Sequence, residues 1–133
     1  MSSRGACIWS RVHRLSIRNP IEALKLKLTT SYLDHMLSIE WTATDGWLPP
    51  QITPYQNLSL DPATCVFHYA FTAFEGMKAY RDKQGHIRLF RPDRNMERLN
   101  KSAARIALPS FDPNSLVELI ARLVYIDDRF IPA

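Results

Sequence analysis

The strongest candidate for chemistry in this 133-residue chain is a row of basic side chains along a predicted helix. The row contains five cations at spacings of three, four, three and four residues: Arg91, Arg94, Arg98, Lys101 and Arg105. This spacing puts them on one helix face, and the opposite face carries apolar residues such as Leu99 and Ala103. Guanidinium groups offer paired N–H donors that match planar oxyanions. The row predicts either a site for a phosphate, carboxylate or nucleic acid, or the plain solvated face of an amphipathic helix.

The pair His68-Tyr69 is a second candidate, because it follows the apolar run at residues 65–67 and opens a helix-like stretch. Tyr69 is interpreted either as a ring that presents its hydroxyl to a pocket or as a packed ring with one hydrogen bond. The other histidines have no partner at metal-ligand spacing, so no metal site is predicted. The four glycines are scattered, which excludes a glycine-rich phosphate loop. No close pair of acids indicates acid–base catalysis.

The composition is that of an ordinary globular protein, with 46% apolar and 23% charged residues. No stretch approaches ~18 uninterrupted apolar residues, so no membrane-spanning helix is predicted. The two cysteines, Cys7 and Cys65, are far apart and exclude a disulfide scaffold. The net charge of +4 is uneven, because residues 1–28 carry six Lys/Arg and one acid whereas residues 29–133 carry eleven and twelve. The body is near neutral, which argues against a nucleic-acid-binding domain.

Residues 1–28 form a basic tail, and the first 21 of them include no acid. On a helix, Arg11, Arg14 and Arg18 would lie opposite a set of apolar residues. An amphipathic, acid-free start that contains Arg and Ser is typical of a mitochondrial presequence. The alternatives are a disordered tail or sequence from a misassigned start. We therefore expect a mitochondrial location if the tail is a presequence and a cytoplasmic one if it is not.

Residues 34–131 predict an α+β unit built from short strands, a hairpin and two main helices. Strand-like runs cover residues 36–41 and 56–60, and a helix-like stretch covers residues 69–74. A hairpin joins residues 77–81 to residues 86–91 around an Asp-Lys-Gln-Gly turn.

The two main helices have clear start signals in the sequence. Pro92 opens the first, which is predicted to run to about residue 104, because proline at the first helical position needs no N–H partner. The second has Asp112 as its N-cap and Pro113 at the first position. Apolar residues then recur at three and four, which indicates one buried face.

A colinear set of motifs runs through residues 34–131. In chain order the set reads Asp34-His35-Met36-Leu37 with Ile39-Glu40-Trp41, Gln56-Asn57-Leu58-Ser59-Leu60 with Pro62, His68-Tyr69, Phe74-Glu75-Gly76-Met77-Lys78-Ala79-Tyr80, Arg88-Leu89-Phe90-Arg91-Pro92, Asn95-Met96-Glu97-Arg98, and Arg105 with Leu108-Pro109-Ser110-Phe111-Asp112. This set resembles the eukaryotic branched-chain amino acid aminotransferases, and specifically their N-terminal small domain.

The resemblance implies a fold-type IV enzyme that uses pyridoxal 5′-phosphate. Such an enzyme passes an amino group between leucine, isoleucine or valine and 2-oxoglutarate. Its active site lies between a small α+β domain and a larger domain, and the family is homodimeric. Arg98 matches the small-domain arginine that grips the cofactor phosphate, and Tyr69 matches the tyrosine that lines the substrate side-chain pocket.

The chain also departs from the family pattern. The family's Schiff-base lysine lies in the large domain, and none of the chain's five lysines matches it: Lys25, Lys27, Lys78, Lys83 and Lys101. Leu28-Thr29 stands where the family usually has Phe-Gly. We therefore expect the large catalytic domain to be absent and the chain alone not to transaminate leucine. Two alternatives stay open: a non-enzymatic fragment that associates with a full-length subunit, and an anion- or nucleic-acid-binding helix domain.

Overall fold

A computed structural model of the chain describes residues 33–132. The predicted basic tail, residues 1–28, lies outside the described residues. The six strands described are β1 (His35–Ser38), β2 (Trp41–Thr42), β3 (Gly46–Trp47), β4 (Gln51–Pro54), β5 (Ala79–Arg81) and β6 (Ile87–Leu89). The helices described are α1 (Cys65–Tyr69), α2 (Pro92–Arg105) and α3 (Pro113–Ile126), followed by a 3₁₀ turn at Asp128–Phe130. This confirms the predicted α+β class.

The strands pair two by two, and every pair is antiparallel: β1 with β4, β2 with β3, and β5 with β6. The predicted hairpin is confirmed, with Tyr80 opposite Arg88. Its turn is fixed by the Asp82 carboxylate, which accepts hydrogen bonds from the backbone N–H groups of Gln84 and His86. Gly85 has a φ of +86°, a left-handed conformation that glycine adopts without a Cβ clash.

Helices α2 and α3 begin where the sequence predicts, at Pro92 and Pro113. The carboxylate of Asp112 accepts a 2.7 Å hydrogen bond from the Ser115 N–H, which satisfies one of the free donors of the first turn. The pKa of Asp112 is lowered mainly by a hydrogen bond with the Ser115 side chain, and the Ser115 N–H lowers it further. The N-cap of α2 is Arg91, whose side chain caps nothing and whose φ of +49° is left-handed.

The core lies between α2 and α3. Its buried cluster contains Met96 and Leu99 from α2 and Ile120 from α3, as the three- and four-residue spacing predicts. Half-buried apolar side chains pack around this cluster, among them Met77 beside the hairpin and Leu89 within it. The packing therefore ties the hairpin to the same helix that carries the basic row.

A buried carboxylate joins strand β1 to the end of α3. Asp127 is 2% exposed and accepts a 3.0 Å hydrogen bond from the backbone N–H of His35. It is also 2.8 Å from the Nδ1 atom of the same histidine. Arg129 and Asp34 form an ion pair beside this contact. These long-range contacts hold the β1–β4 pair against the helices.

Two predicted elements are wrong. Residues 56–60 form no strand, because β1 pairs instead with Gln51–Pro54, in the register that sets Leu37 opposite Ile52. The predicted helix at residues 69–74 is absent beyond Tyr69, because α1 occupies Cys65–Tyr69 and ends where Ala70 turns left-handed at φ +51°. The helix begins early because a turn at residues 61–64 precedes it, with the Asp61 carbonyl accepting from the Thr64 N–H.

None of the helices described in residues 33–132 has the length and apolar character needed to cross a membrane.

Candidate anion-binding site on helix α2

Arg98 is held by a two-point ion pair with Glu75. Its Nε and Nη2 atoms donate to the two carboxylate oxygens of Glu75, at 3.0 and 2.9 Å. Helix α2 supplies the arginine, and the glutamate comes from the segment that leads into the hairpin. The arginine side chain is 60% exposed, whereas that of the glutamate is 15% exposed. The pair therefore has a fixed inner partner and an outer partner that reaches solvent.

Glu75 is fixed by further donors besides the arginine. Its Oε1 atom accepts from the Gly76 N–H at 2.9 Å and from the Asn95 Nδ2 at 3.1 Å. Asn95 is buried and also donates to the Gly76 carbonyl at 2.8 Å. The hydrogen bond from Arg98 is the largest cause that lowers the pKa of Glu75, and Asn95 and Gly76 lower it further. The same bond raises the pKa of Arg98, so both groups are charged at neutral pH.

Arg98 lines a groove of about 700 Å³ at the N-terminal end of α2. The groove is also lined by the cationic residues Lys78, Arg91 and Arg94, together with the exposed rings of Tyr80 and Phe90. Arg94 is paired with Glu97 at 2.8 Å. Within residues 33–132, the side chains of Lys78 and Arg91 have no ion-pair partner. The groove therefore carries an excess of positive charge that suits an anion.

The structure divides the predicted basic row. Arg91, Arg94 and Arg98 line the groove, whereas Lys101 and Arg105 lie farther along the exposed side of α2 and do not line it. Arg98 is the only member of the row that the described structure joins to a residue outside α2 and its cap. The helix thus presents a local cationic site at one end, not a continuous cationic stripe.

Tyr69 lies elsewhere. It is the last residue of α1, is 74% exposed, and does not line the groove of Arg98. Its ring contacts His68 edge to face, and the His68 Nε2 atom is 2.8 Å from the Pro62 carbonyl. No residue of α1 is buried. Tyr69 belongs to an exposed aromatic segment made of Phe67, Tyr69, Phe71 and Phe74, and Val66 beside it is exposed as well. The described structure does not bring Tyr69 and Arg98 together in one cavity.

Comparison with curated proteins identifies the family. The chain is 52% identical to the cytosolic branched-chain-amino-acid aminotransferase of Saccharomyces cerevisiae, over 85% of this chain and 35% of the relative. It is 49% identical to the branched-chain-amino-acid aminotransferase of Dictyostelium discoideum, over 81% of this chain and 29% of the relative. The mitochondrial form of Rattus norvegicus is 40% identical, over 97% of this chain and 33% of the relative. Over its matched residues, the chain belongs to the branched-chain-amino-acid aminotransferase family.

The chain spans about a third of the length of these aminotransferases. No protein-family model matches it. The aminotransferases that it matches include cytosolic and mitochondrial forms, the two compartments that the sequence predicts. These comparisons give no support to the predicted alternatives of a non-enzymatic associating fragment or a nucleic-acid-binding helix domain.

Sequence reasoning missed Glu75, which holds Arg98, and Asn95, which holds Glu75. Glu75 lies 23 positions from the arginine, so no helical spacing connects them, and it is the fold of the hairpin segment that does. Asn95 was detectable in part, because it precedes Arg98 by three residues and shares its helix face. The signal for both was their place in two of the aminotransferase motifs, Phe-Glu-Gly and Asn-Met-Glu-Arg.

The lowered pKa of Glu75 predicts an acid-sensitive contribution to stability. A carboxyl group whose pKa is lower in the folded than in the unfolded chain stabilises the fold above its unfolded value, and this stabilisation is lost as the pH falls through the folded value. We expect the urea midpoint of the wild-type chain to fall as the pH drops below 4.5, the ordinary value for glutamate, and that of Glu75→Gln to fall less steeply. Urea unfolding at a series of pH values checks this. Parallel curves for the two proteins would contradict it.

Proposed function

We propose that residues 34–131 act as the small domain of a pyridoxal 5′-phosphate-dependent branched-chain amino acid transaminase. The reaction is amino transfer between leucine, isoleucine or valine and 2-oxoglutarate. One observation carries the proposal. In a chain 40–52% identical to such enzymes, Arg98 completes the Asn-Met-Glu-Arg motif and lines a cationic groove while part of its guanidinium stays without a hydrogen bond in the described residues.

The residues of the groove fit the phosphate group of the cofactor. Arg98 has unused N–H donors on the side away from Glu75, and charge-assisted hydrogen bonds from guanidinium to phosphate are short and directional. Lys78 and Arg91 add positive potential beside it. Pyridoxal 5′-phosphate supplies the electron sink for amino transfer when it is bound. The role of this chain is then to hold the phosphate end of the cofactor and to fix its direction.

Tyr69 is proposed to line the pocket for the apolar side chain of the substrate. Its high exposure supports a role against a second surface, because several large apolar side chains of the exposed aromatic segment are left in solvent. We further propose that this surface is covered in a homodimer of the complete enzyme. Residues 1–28 are proposed to be a mitochondrial presequence, and a cytoplasmic location is the alternative.

Exchange of the matched segment in an active relative tests this function. Residues 34–131 would replace the corresponding segment of the cytosolic Saccharomyces cerevisiae aminotransferase. We expect the hybrid to be a dimer by light scattering and to form glutamate from leucine, 2-oxoglutarate and pyridoxal 5′-phosphate. The unmodified relative is the positive control. A hybrid that is folded and dimeric but does not turn over leucine would overturn the proposal.

A further inference from the structure

We propose that Glu75 is a positioning residue for Arg98: its carboxylate holds one edge of the guanidinium and thereby aims the other edge at a phosphate group. This inference rests on the proposed role of Arg98 in phosphate binding. It concerns a residue that touches the arginine and not the ligand.

A guanidinium group can make two-point contacts through more than one edge, because five N–H donors lie in one plane. Glu75 occupies the edge formed by Nε and Nη2. Within the described part of the chain, Nη1 makes no hydrogen bond, and Nη2 has a second hydrogen available. The remaining edge, between Nη1 and Nη2, is therefore the one left for a second two-point contact. Its direction is set because the plane of the group is fixed by Glu75.

Glu75 is built to stay in place when an anion arrives. Two donors that belong to neither ligand nor arginine hold its Oε1 atom, the Gly76 N–H and the Asn95 Nδ2. The asparagine is itself buried and anchored on the Gly76 carbonyl. If phosphate displaced Glu75 from the arginine, the carboxylate would have to move away. Glu75 would then lose its hydrogen bonds with Gly76 and Asn95, so it is held in its present position.

The neighbouring pair on the same helix lacks these features. Arg94 contacts Glu97 through one short N–O distance, and both side chains are more than half exposed. Glu97 accepts no hydrogen bond from a residue outside this pair in residues 33–132. An exposed pair three residues apart orients its arginine weakly. Glu97 is thus a matched control, because its replacement also removes one negative charge that is paired with an arginine of α2.

Removal of the Glu75 charge separates positioning from simple electrostatics. Glu75→Gln makes the chain more positive, so Coulomb attraction alone predicts tighter binding of an anion. Positioning predicts weaker binding, because glutamine turns one donor amide toward the arginine and leaves its guanidinium free to rotate. Ordering one long side chain on binding corresponds to an affinity loss of about two- to tenfold. The two explanations differ in sign.

The test uses the 133-residue chain and inorganic phosphate as the probe. Nitrogen-15 relaxation of the arginine Nε–H groups reports their order, and chemical-shift titration reports the affinity for phosphate. In the wild-type chain we expect the Arg98 Nε–H to be more ordered than that of Arg94. In Glu75→Gln we expect this order to be lost and the affinity for phosphate to fall about two- to tenfold. In Glu97→Gln the affinity should not fall.

Glu75→Asp is a second variant, which keeps the charge but withdraws the carboxylate by one methylene. It should also bind phosphate less tightly, and it serves as the test if Glu75→Gln does not fold.

The other possible outcomes contradict either the positioning role of Glu75 or the proposed role of Arg98. Tighter phosphate binding by Glu75→Gln, or an Arg98 Nε–H as mobile as that of Arg94 in the wild-type chain, overturns the positioning role. Arg98→Ala distinguishes this failure from failure of the proposed function. If Arg98→Ala leaves phosphate binding unchanged, or if the wild-type chain gives no saturable response, the arginine is not the phosphate ligand. If Arg98→Ala weakens binding while Glu75→Gln strengthens it, only the inference about Glu75 is wrong.

Discussion

Leu99→Ala lowers the free energy of unfolding by about 2–5 kcal/mol, the range for a buried leucine replaced by alanine in a packed core. Leu99 is 6% exposed and lies in the cluster with Met96 and Ile120. Its removal takes apolar contacts from the seam between α2 and α3, which is the main core of residues 33–132. Domains of this size have a total stability of only about 5–15 kcal/mol, so the loss is a large fraction of the whole.

Urea unfolding followed by far-ultraviolet circular dichroism measures this effect. Lys101→Ala is the matched control, because Lys101 is exposed on the same helix and has no ion-pair partner in residues 33–132. We expect the control to unfold at the wild-type midpoint. If Leu99→Ala also kept the wild-type midpoint, the seam between α2 and α3 would not be the core of the domain.

The helices of this seam were predictable because their signals are local. Proline at the first position, an aspartate N-cap and a repeat of three and four predict the starts of both helices, and the predicted end of the first lies one residue from its observed end at Arg105. The hairpin was predictable for the same reason, since its turn and its alternation lie within 15 residues of one another.

The two wrong elements depend on contacts that are not local. The sequence around residue 56 has strand-like character, but a strand needs a partner, and β1 takes Gln51–Pro54 instead. Residues 69–74 are apolar and helix-like, yet Ala70 turns left-handed and the segment beyond it packs little of its aromatic surface. Pattern alone does not distinguish an apolar segment that is buried in its own domain from one that remains exposed.

Only the part of the candidate site that lies on helix α2 was predictable from the sequence. Helical spacing puts Arg94 and Arg98 on one face, and the motif match singles out Arg98 between them. Spacing cannot supply Glu75, since the partner comes from another part of the chain. The fold also shows that the members of the basic row are not equivalent, because Arg94 and Arg98 are ion-paired. Among the groove cations, Lys78 and Arg91 have no carboxylate partner in the described residues.

Arg98→Ala should weaken cofactor binding by about 10- to 100-fold, the loss expected when a charge-assisted hydrogen bond to an anion is removed. The effect is measured in the hybrid that carries residues 34–131, from the absorbance change on titration with pyridoxal 5′-phosphate. Two consequences of the substitution act in the same direction. The phosphate loses its guanidinium donors, and the negative charge of Glu75 is left without its cation next to the groove. We therefore expect a loss toward the upper end of this range.

Two further substitutions define what the arginine contributes. Arg98→Lys should recover only part of the affinity, because an ammonium group cannot contact Glu75 and the phosphate through two planar edges at once. Arg94→Ala should have a much smaller effect, because Arg94 is paired with Glu97 and the motif match singles out Arg98. Arg98→Ala combined with Glu75→Gln should bind the cofactor more tightly than Arg98→Ala alone, since the uncompensated carboxylate is gone. Equal losses for Arg98→Ala and Arg94→Ala would mean that α2 presents only a solvated basic face and that Arg98 has no special role.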